Sequence, residues 1–208
     1  MKKRSVVIAL MLINVLTAQN VQIQHLEQAL IQNPNSAELH LNLGKLQYQE
    51  VMKGEKEYLK SAVHHFAKAT KLDAENCNAF CWLGSTMVMK AKFAVFPPAK
   101  AYYVHAGLAK MDDAIEMDTH HVENRFIRGQ TCLGIPAFFG RSGTALADFL
   151  ALEKMMTASP AAFDHETKAE ILYYLGKSYK ATGNEEKSED CFARLKSEFG
   201  DTELAQKL

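Results

Sequence analysis

Leu43-Gly44, Leu83-Gly84, Arg128-Gly129 and Leu175-Gly176 place a glycine at one recurring position down the chain, and this limits the fold more than any other feature. A glycine inside an apolar helical stripe marks a place where a second helix comes too close for a side chain. After each glycine a second stripe follows. Ala62-x3-Phe66 with Ala69 and Leu72 follows Gly44, and Gly107, Met111, Ala114 and Met117 follow Gly84. Ala145 follows Gly129, and Ser188-x3-Phe192 with Leu195 follows Gly176. A spacing of 22 recurs from Ala62 to Gly84 and from Gly107 to Gly129. These stripes have the helical period, so the chain reads as antiparallel helix pairs. One pair cannot bury its own apolar faces, and neighbours must stack.

The order W-x2-L-G-x2-Y, then A-x3-F, then P, over 34 residues is the signature of the tetratricopeptide (TPR) hairpin. From about residue 20 to its end the chain resembles that family. The fourth unit carries it most cleanly, with Leu172-x2-Leu175-Gly176-x2-Tyr179, a Gly183-Asn184 turn and Ser188-x3-Phe192. The second has Phe80-x2-Leu83-Gly84, and the first has His40-x2-Leu43-Gly44 behind a helix cap at Ser36. The resemblance implies an all-α fold, a right-handed α-solenoid of stacked antiparallel helix hairpins with about nine helices. The expected division is a half repeat at 20–35, where Leu26, Ala29 and Pro34 fit a second helix. Repeats follow at about 36–75, 76–120, 121–164 and 165–199, with a cap at 200–208. All of 19–208 forms a single solenoid domain in this reading.

The period is stretched. Gly44 to Gly84 is 40 residues, Gly84 to Gly129 is 45 and Gly129 to Gly176 is 47. The extra residues are expected inside the hairpin connections and around Ser159 to Thr167, and such insertions map to loops on one face. Around Lys53 to Glu57, plain helix extension serves equally well. Phe93 to Tyr103 is apolar for a loop, with Phe96, Pro97, Pro98, Tyr102 and Tyr103. Either it packs back on the array or it is an exposed interaction patch. The segment Pro136-Ala-Phe138-Phe139-Gly140-Arg141 resembles the P-x-F-F-G-G link of a group of bacterial TPR-like proteins. That resemblance implies a tight link inside one hairpin with Phe138 and Phe139 anchored in the core, and Arg141 stands where the group has a second glycine.

Residues 1–18 read as a secretory signal: Lys2, Lys3 and Arg4, an apolar run from Val6 to Leu16, and a small residue at Ala18, after which cleavage is expected. The run is shorter than the roughly 20 residues that span a bilayer. Export to the periplasm or medium is the expectation, with no membrane span in the mature chain, whose net charge would be −3. With Lys and Arg at 24 against 24 Asp and Glu, no basic stripe announces a nucleic-acid partner. Oxidising surroundings raise the question of Cys77, Cys81, Cys132 and Cys191. Cys77 and Cys81 are neighbours on one helix face, too far apart for a bridge. They are expected to be free and packed, while a bridge between distant partners stays open.

In the TPR family, set positions of each first helix line the concave groove. Carried over from each glycine, they are Leu41, Lys45, Tyr48, Cys81, Ser85, Val88, Phe126, Gln130, Tyr173 and Lys177. The mixture suits a peptide or helix more than a highly charged tail. Arg125 and Arg128 stand where apolar residues are expected. They share a helix face, so they either pair with an acid such as Glu123, Asp148 or Glu153, face solvent in a shifted register, or hold an anionic ligand with Phe96, Tyr102 and Tyr103 nearby.

Catalytic signatures are missing: no H-E-x-x-H, no G-x-x-x-x-G-K, and Gly140-Arg141-Ser142-Gly143 fails the nucleophile-elbow spacing. The adjacent pairs His64-His65 and His120-His121 point to different sides of a helix, and no metal or other cofactor is expected. The sequence therefore points to an exported, non-enzymatic scaffold that holds a protein or peptide segment in its groove. The alternative is a carrier of a small acidic ligand under the inserts near Arg125 and Arg128.

Overall fold

The computed structural model describes residues 19–208; the expected signal segment and its cleavage site lie outside the described residues. Among the described residues there is no strand. The helices are α1 (19–32), α2 (Ala37–Lys53), α3 (Tyr58–Leu72), α4 (Cys77–Phe93), α5 (Pro97–Met117), α6 (Val122–Gly134), α7 (Ser142–Ala158), α8 (His165–Ala181), α9 (Glu185–Glu198) and α10 (Glu203–Gln206). Short 3-10 turns at Ala137–Phe139 and Pro160–Ala162 flank α7. The architecture is an all-α helical solenoid.

Most of the helices begin on a side-chain cap. Ser36, Asn76, His121, Asp164, Asn184 and Thr202 accept from the backbone N–H three residues on, at the starts of α2, α4, α6, α8, α9 and α10. Each satisfies a donor the first helical turn leaves open. Two compact units result among the described residues, split within α5: residues 19–110 and residues 111–208.

In the first unit, α2, α3 and α4 bury Leu41, Ala62, Phe66, Ala69, Ala79 and Leu83 together. Trp82 stacks on Phe66 at 5.8 Å between centroids. In the second, α7, α8 and α9 bury Phe149, Leu152, Met156, Ile171, Leu175 and Cys191, with Phe163 closing one end. Ala169, Leu172, Leu195, Phe199 and Ala205 form a smaller cluster under α10.

The recurring glycines sit where hairpins close. A Cβ built on Gly44 would lie 2.7 Å from the ring of Phe66, on Gly129 2.6 Å from Phe149, and on Gly176 2.8 Å from Phe192. The second hairpin closes differently, backbone on backbone: a Cβ on Gly107 would lie 2.5 Å from the carbonyl oxygen of Gly84.

Two expectations are corrected and one open alternative, at Lys53 to Glu57, is resolved. Phe93 to Tyr103 is not a long loop. Only residues 94–96 link α4 to α5, and the inserted residues lengthen α5 because Pro97 fits the first helical position, where its missing N–H costs nothing. Lys53 to Glu57 divides between the end of α2 and a four-residue link, which leaves the hairpin in a left-handed Gly54 cap. Phe138 is 82% exposed and Phe139 only half-buried, so neither anchors the α6–α7 link in the core. The rings lie against each other at 4.5 Å instead. Gly140 takes the left-handed φ of 68°, while Arg141 at φ −101° needs no glycine. The four cysteines are not joined in disulfides, and Cys81, Cys132 and Cys191 are buried.

Candidate functional site

The first helices of neighbouring hairpins lie side by side, α2 against α4 in the first unit and α6 against α8 in the second. Depth sorts the expected groove residues. Leu41, Cys81, Ser85 and Val88 are buried; Leu41 belongs to the Phe66 cluster of α2, α3 and α4, and Val88 lies against Gly107 of α5. They are packing residues and offer a ligand no surface. Lys45 and Tyr48 stay half-exposed in the first unit. In the second, Phe126, Gln130 and Tyr173 are half-exposed and Lys177 is exposed.

Two aromatic residues that register alone passed over complete these faces. Trp82 and Tyr174 each lie two residues before a repeat glycine, Gly84 and Gly176. In the first unit Tyr48 meets Trp82 edge-on at 5.2 Å, its hydroxyl is 3.2 Å from Ser85 Oγ, and Lys45 Nζ stands 5.7 Å over the indole. Burial pushes the Tyr48 phenol above its ordinary range, and Cys81 adds to this while the Ser85 hydrogen bond opposes it. In the second unit Phe126 meets Phe149 and Tyr174 edge-on, and Tyr173 meets Tyr174. Lys177 Nζ stands 5.3 Å over Tyr173 and 5.8 Å over Tyr174. Burial, then the neighbouring Glu170 and Tyr173, push the Tyr174 phenol up, against a hydrogen bond with Gln130. Both faces thus combine rigid rings with one ammonium, a surface with large contact area and little side-chain entropy to lose.

Arg125 and Arg128 are paired internally. Asp148 on α7 has a fully buried carboxylate that accepts from Arg125 Nη1 at 2.9 Å and from Arg128 Nε and Nη2 at 2.8 Å each. Arg128 Nη1 donates to Asp112 Oδ1 at 3.0 Å, and Arg141 Nη2 meets the same oxygen. Arg125 Nε donates to the carbonyl oxygen of Thr119 at 2.7 Å. Burial opposes the charge on Arg128, but the Asp148 hydrogen bonds, with Asp112, outweigh it and raise its pKa. Of the three acids expected as partners, Asp148 serves both arginines, whereas Glu153 holds Arg194 at 2.6 Å. The cluster ties α5, α6 and α7 together within the second unit.

Elsewhere several titratable groups are engaged structurally. His40 Nδ1 lies 2.8 Å from His65 Nδ1, and His40 Nε2 is 3.1 Å from the carbonyl oxygen of Pro34. Burial foremost, then the neighbouring His40 and His64, lower the His65 pKa to about 4. Burial raises the thiols of Cys132 and Cys191, away from the thiolate that nucleophilic chemistry requires. Among the described residues no group of three His, Cys, Asp or Glu side chains has metal-binding geometry. A cavity of about 520 Å³ opens between the α7–α8 insert and the start of α6, lined by Val122, Met155, Ala162 and Phe163. Of its polar members, Asp164 caps α8 and His120 meets Thr119 Oγ1.

No family model matches the sequence, and no curated protein matches it. Solved structures do share the fold. A thermophilic TPR protein from Thermus thermophilus superposes with a TM-score of 0.70 at 16% identity, over 94% of this chain and 91% of that one. PilW, a widely conserved type IV pilus biogenesis factor, gives 0.60 at 19% identity, over 88% and 72%. MamA gives 0.56 at 17% identity, over 86% and 87%. The fold is that of TPR proteins.

Proposed function

We propose that the chain is an exported, non-enzymatic TPR-like scaffold that holds a protein or peptide segment against its first-helix faces. One observation carries this reading: both units set half-exposed rings beneath a lysine, on helices whose other faces are buried. Tyr48, Trp82 and Lys45 do so in the first unit, and Phe126, Tyr173, Tyr174 and Lys177 in the second. The raised thiols and the TPR fold of the solved neighbours support a scaffold over a catalyst. The export element rests on residues 1–18 alone, and the mass of protein recovered from the producing cells tests it. The carrier alternative has lost its anion clamp, because Asp148 already occupies Arg125 and Arg128.

A pull-down of the full chain against the combined Tyr48→Ala, Phe126→Ala and Tyr173→Ala variant is the test. These side chains also pack on the core, so the variant is first shown to be folded by its helical circular dichroism, and the folded variant should lose the partner identified with wild type. An unchanged partner list rejects the aromatic faces as the site. A small acid retained in native mass spectrometry would restore the carrier in their place.

A further inference from the structure

We propose that the turn between α4 and α5 is a docking surface for an anionic lipid bilayer, an activity independent of the first-helix faces. Nine of the eleven residues from Lys92 to Tyr102 are exposed, so no part of the first unit covers the turn. Four of the large apolar side chains that face solvent fall here together: Phe93, Val95, Phe96 and Tyr102, with Val95 94% exposed. Contiguous exposure of this kind marks an interaction surface.

Charge identifies the partner. From Asn76 through Met111 there is no Asp or Glu, although the chain as a whole carries as many acids as bases. Lys90, Lys92 and Lys100 flank the apolar tip, and Lys90 Nζ stands 4.5 Å over the Tyr103 ring. Apolar side chains that reach the acyl boundary, tyrosines at headgroup depth and lysines extending to anionic heads are the parts of a peripheral membrane contact. No described helix is long and apolar enough to cross a membrane.

The backbone favours lipid over an acidic peptide. A helix start exposes four N–H groups that resist leaving water. In α5 the first two positions are Pro97 and Pro98, which have none, and the next two, Ala99 and Lys100, donate to the carbonyl oxygen of Phe96 at 3.0 and 3.1 Å. The helix start can therefore enter a medium of low dielectric constant without orphan donors. A peptide would need a concave seat, whereas Val95 projects from a convex turn.

Co-sedimentation of the full chain with vesicles tests this. Binding is expected to equal parts phosphatidylglycerol and phosphatidylcholine, with little to phosphatidylcholine alone, and added salt should weaken it. Val95→Ser with Phe96→Ser should reduce binding to the phosphatidylcholine level. Lys92→Gln with Lys100→Gln should weaken it by about five-fold per lysine. Both pairs lie at exposed positions, and an unchanged melting temperature confirms their folding. Phe96→Trp adds a local reading, a blue shift of its emission with the mixed vesicles beyond any change in wild type, whose one tryptophan is the half-buried Trp82. No sedimentation with mixed vesicles overturns the proposal, as does wild-type binding by the Val95→Ser, Phe96→Ser variant. Capture of soluble poly-glutamate through the lysines, with no requirement for the apolar pair, also overturns it in favour of an acidic protein partner.

Discussion

Asp148 has no exposed side-chain surface, yet three donors from two guanidiniums end on its carboxylate. Removing one partner of such a cluster leaves charge buried and underpaired, which costs far more than the cluster's net worth. Arg128→Met should therefore destabilise by about 3–5 kcal/mol in denaturant titration. A loss within about 0.5 kcal/mol would mean the side chain is effectively solvated. The two arginines were legible in the sequence as a polar break in an apolar stripe. Their acceptor was only one of three candidates, because Asp148 sits one residue before Phe149 and reads as the edge of a core stripe. Asp112 and Arg141 were not legible in this role, since they come from α5 and the α6–α7 link and meet only in the folded unit. Gly176 belongs to the same scale. Gly176→Leu should cost roughly 1–3 kcal/mol or more by driving the Phe192 ring out of its seat. A wild-type melting temperature would contradict this closure.

Helices α2 and α3 meet through a histidine pair. With both rings neutral, His40 Nε2–H donates to the Pro34 carbonyl oxygen, which leaves His40 Nδ1 to accept from His65 Nδ1–H. The lowered His65 pKa means the unfolded chain takes up this proton first as pH falls. The contribution is thus fully present above pH of about 6.5, shrinks toward pH 4 and is flat below it. Because the ring is only partly buried, the swing is about 1–2 kcal/mol after screening. Stability curves of wild type and His65→Gln should diverge across that window, wild type losing more on acidification; parallel curves would exclude the pair as its source. At this scale the sequence showed helix spacing well and connections poorly. Pro97-Pro98 reads as a loop, but proline is equally at home in the first turn of a helix. The contact of His40 with His65 was not legible, since the two rings come from different helices. The cap at Ser36 was readable because it depends on a local hydrogen bond, and Asn76→Ala at the start of α4 should likewise cost about 1 kcal/mol.

Arrays of hairpins draw stability from each unit and its neighbours, so damage need not spread evenly. With the Arg–Asp cluster confined to the unit from Met111 on, Arg128→Met should lower hydrogen-exchange protection there before it does in residues 19–110. Uniform loss would show one cooperative block. Over the molecule, the repeat glycines made the fold class legible without any long-range information. The groove was legible only in part. Register assigns residues to a helix face but not to a depth, so Val88 and Cys81 were named alongside Tyr48 although packing hides them, while Trp82 and Tyr174 went unnamed.

The ring-on-glycine closures have a spectroscopic corollary. The magnetic field of an aromatic ring shifts protons held against it, and Gly44, Gly129 and Gly176 each carry α-protons against a different phenyl group, those of Phe66, Phe149 and Phe192. Gly84 and Gly107 meet through backbone and carry no such label. Three hairpins therefore own separate resonances that move to random-coil values only when that hairpin opens. A thermal melt followed at these three signals resolves the opening of each hairpin on its own, in the unmodified chain.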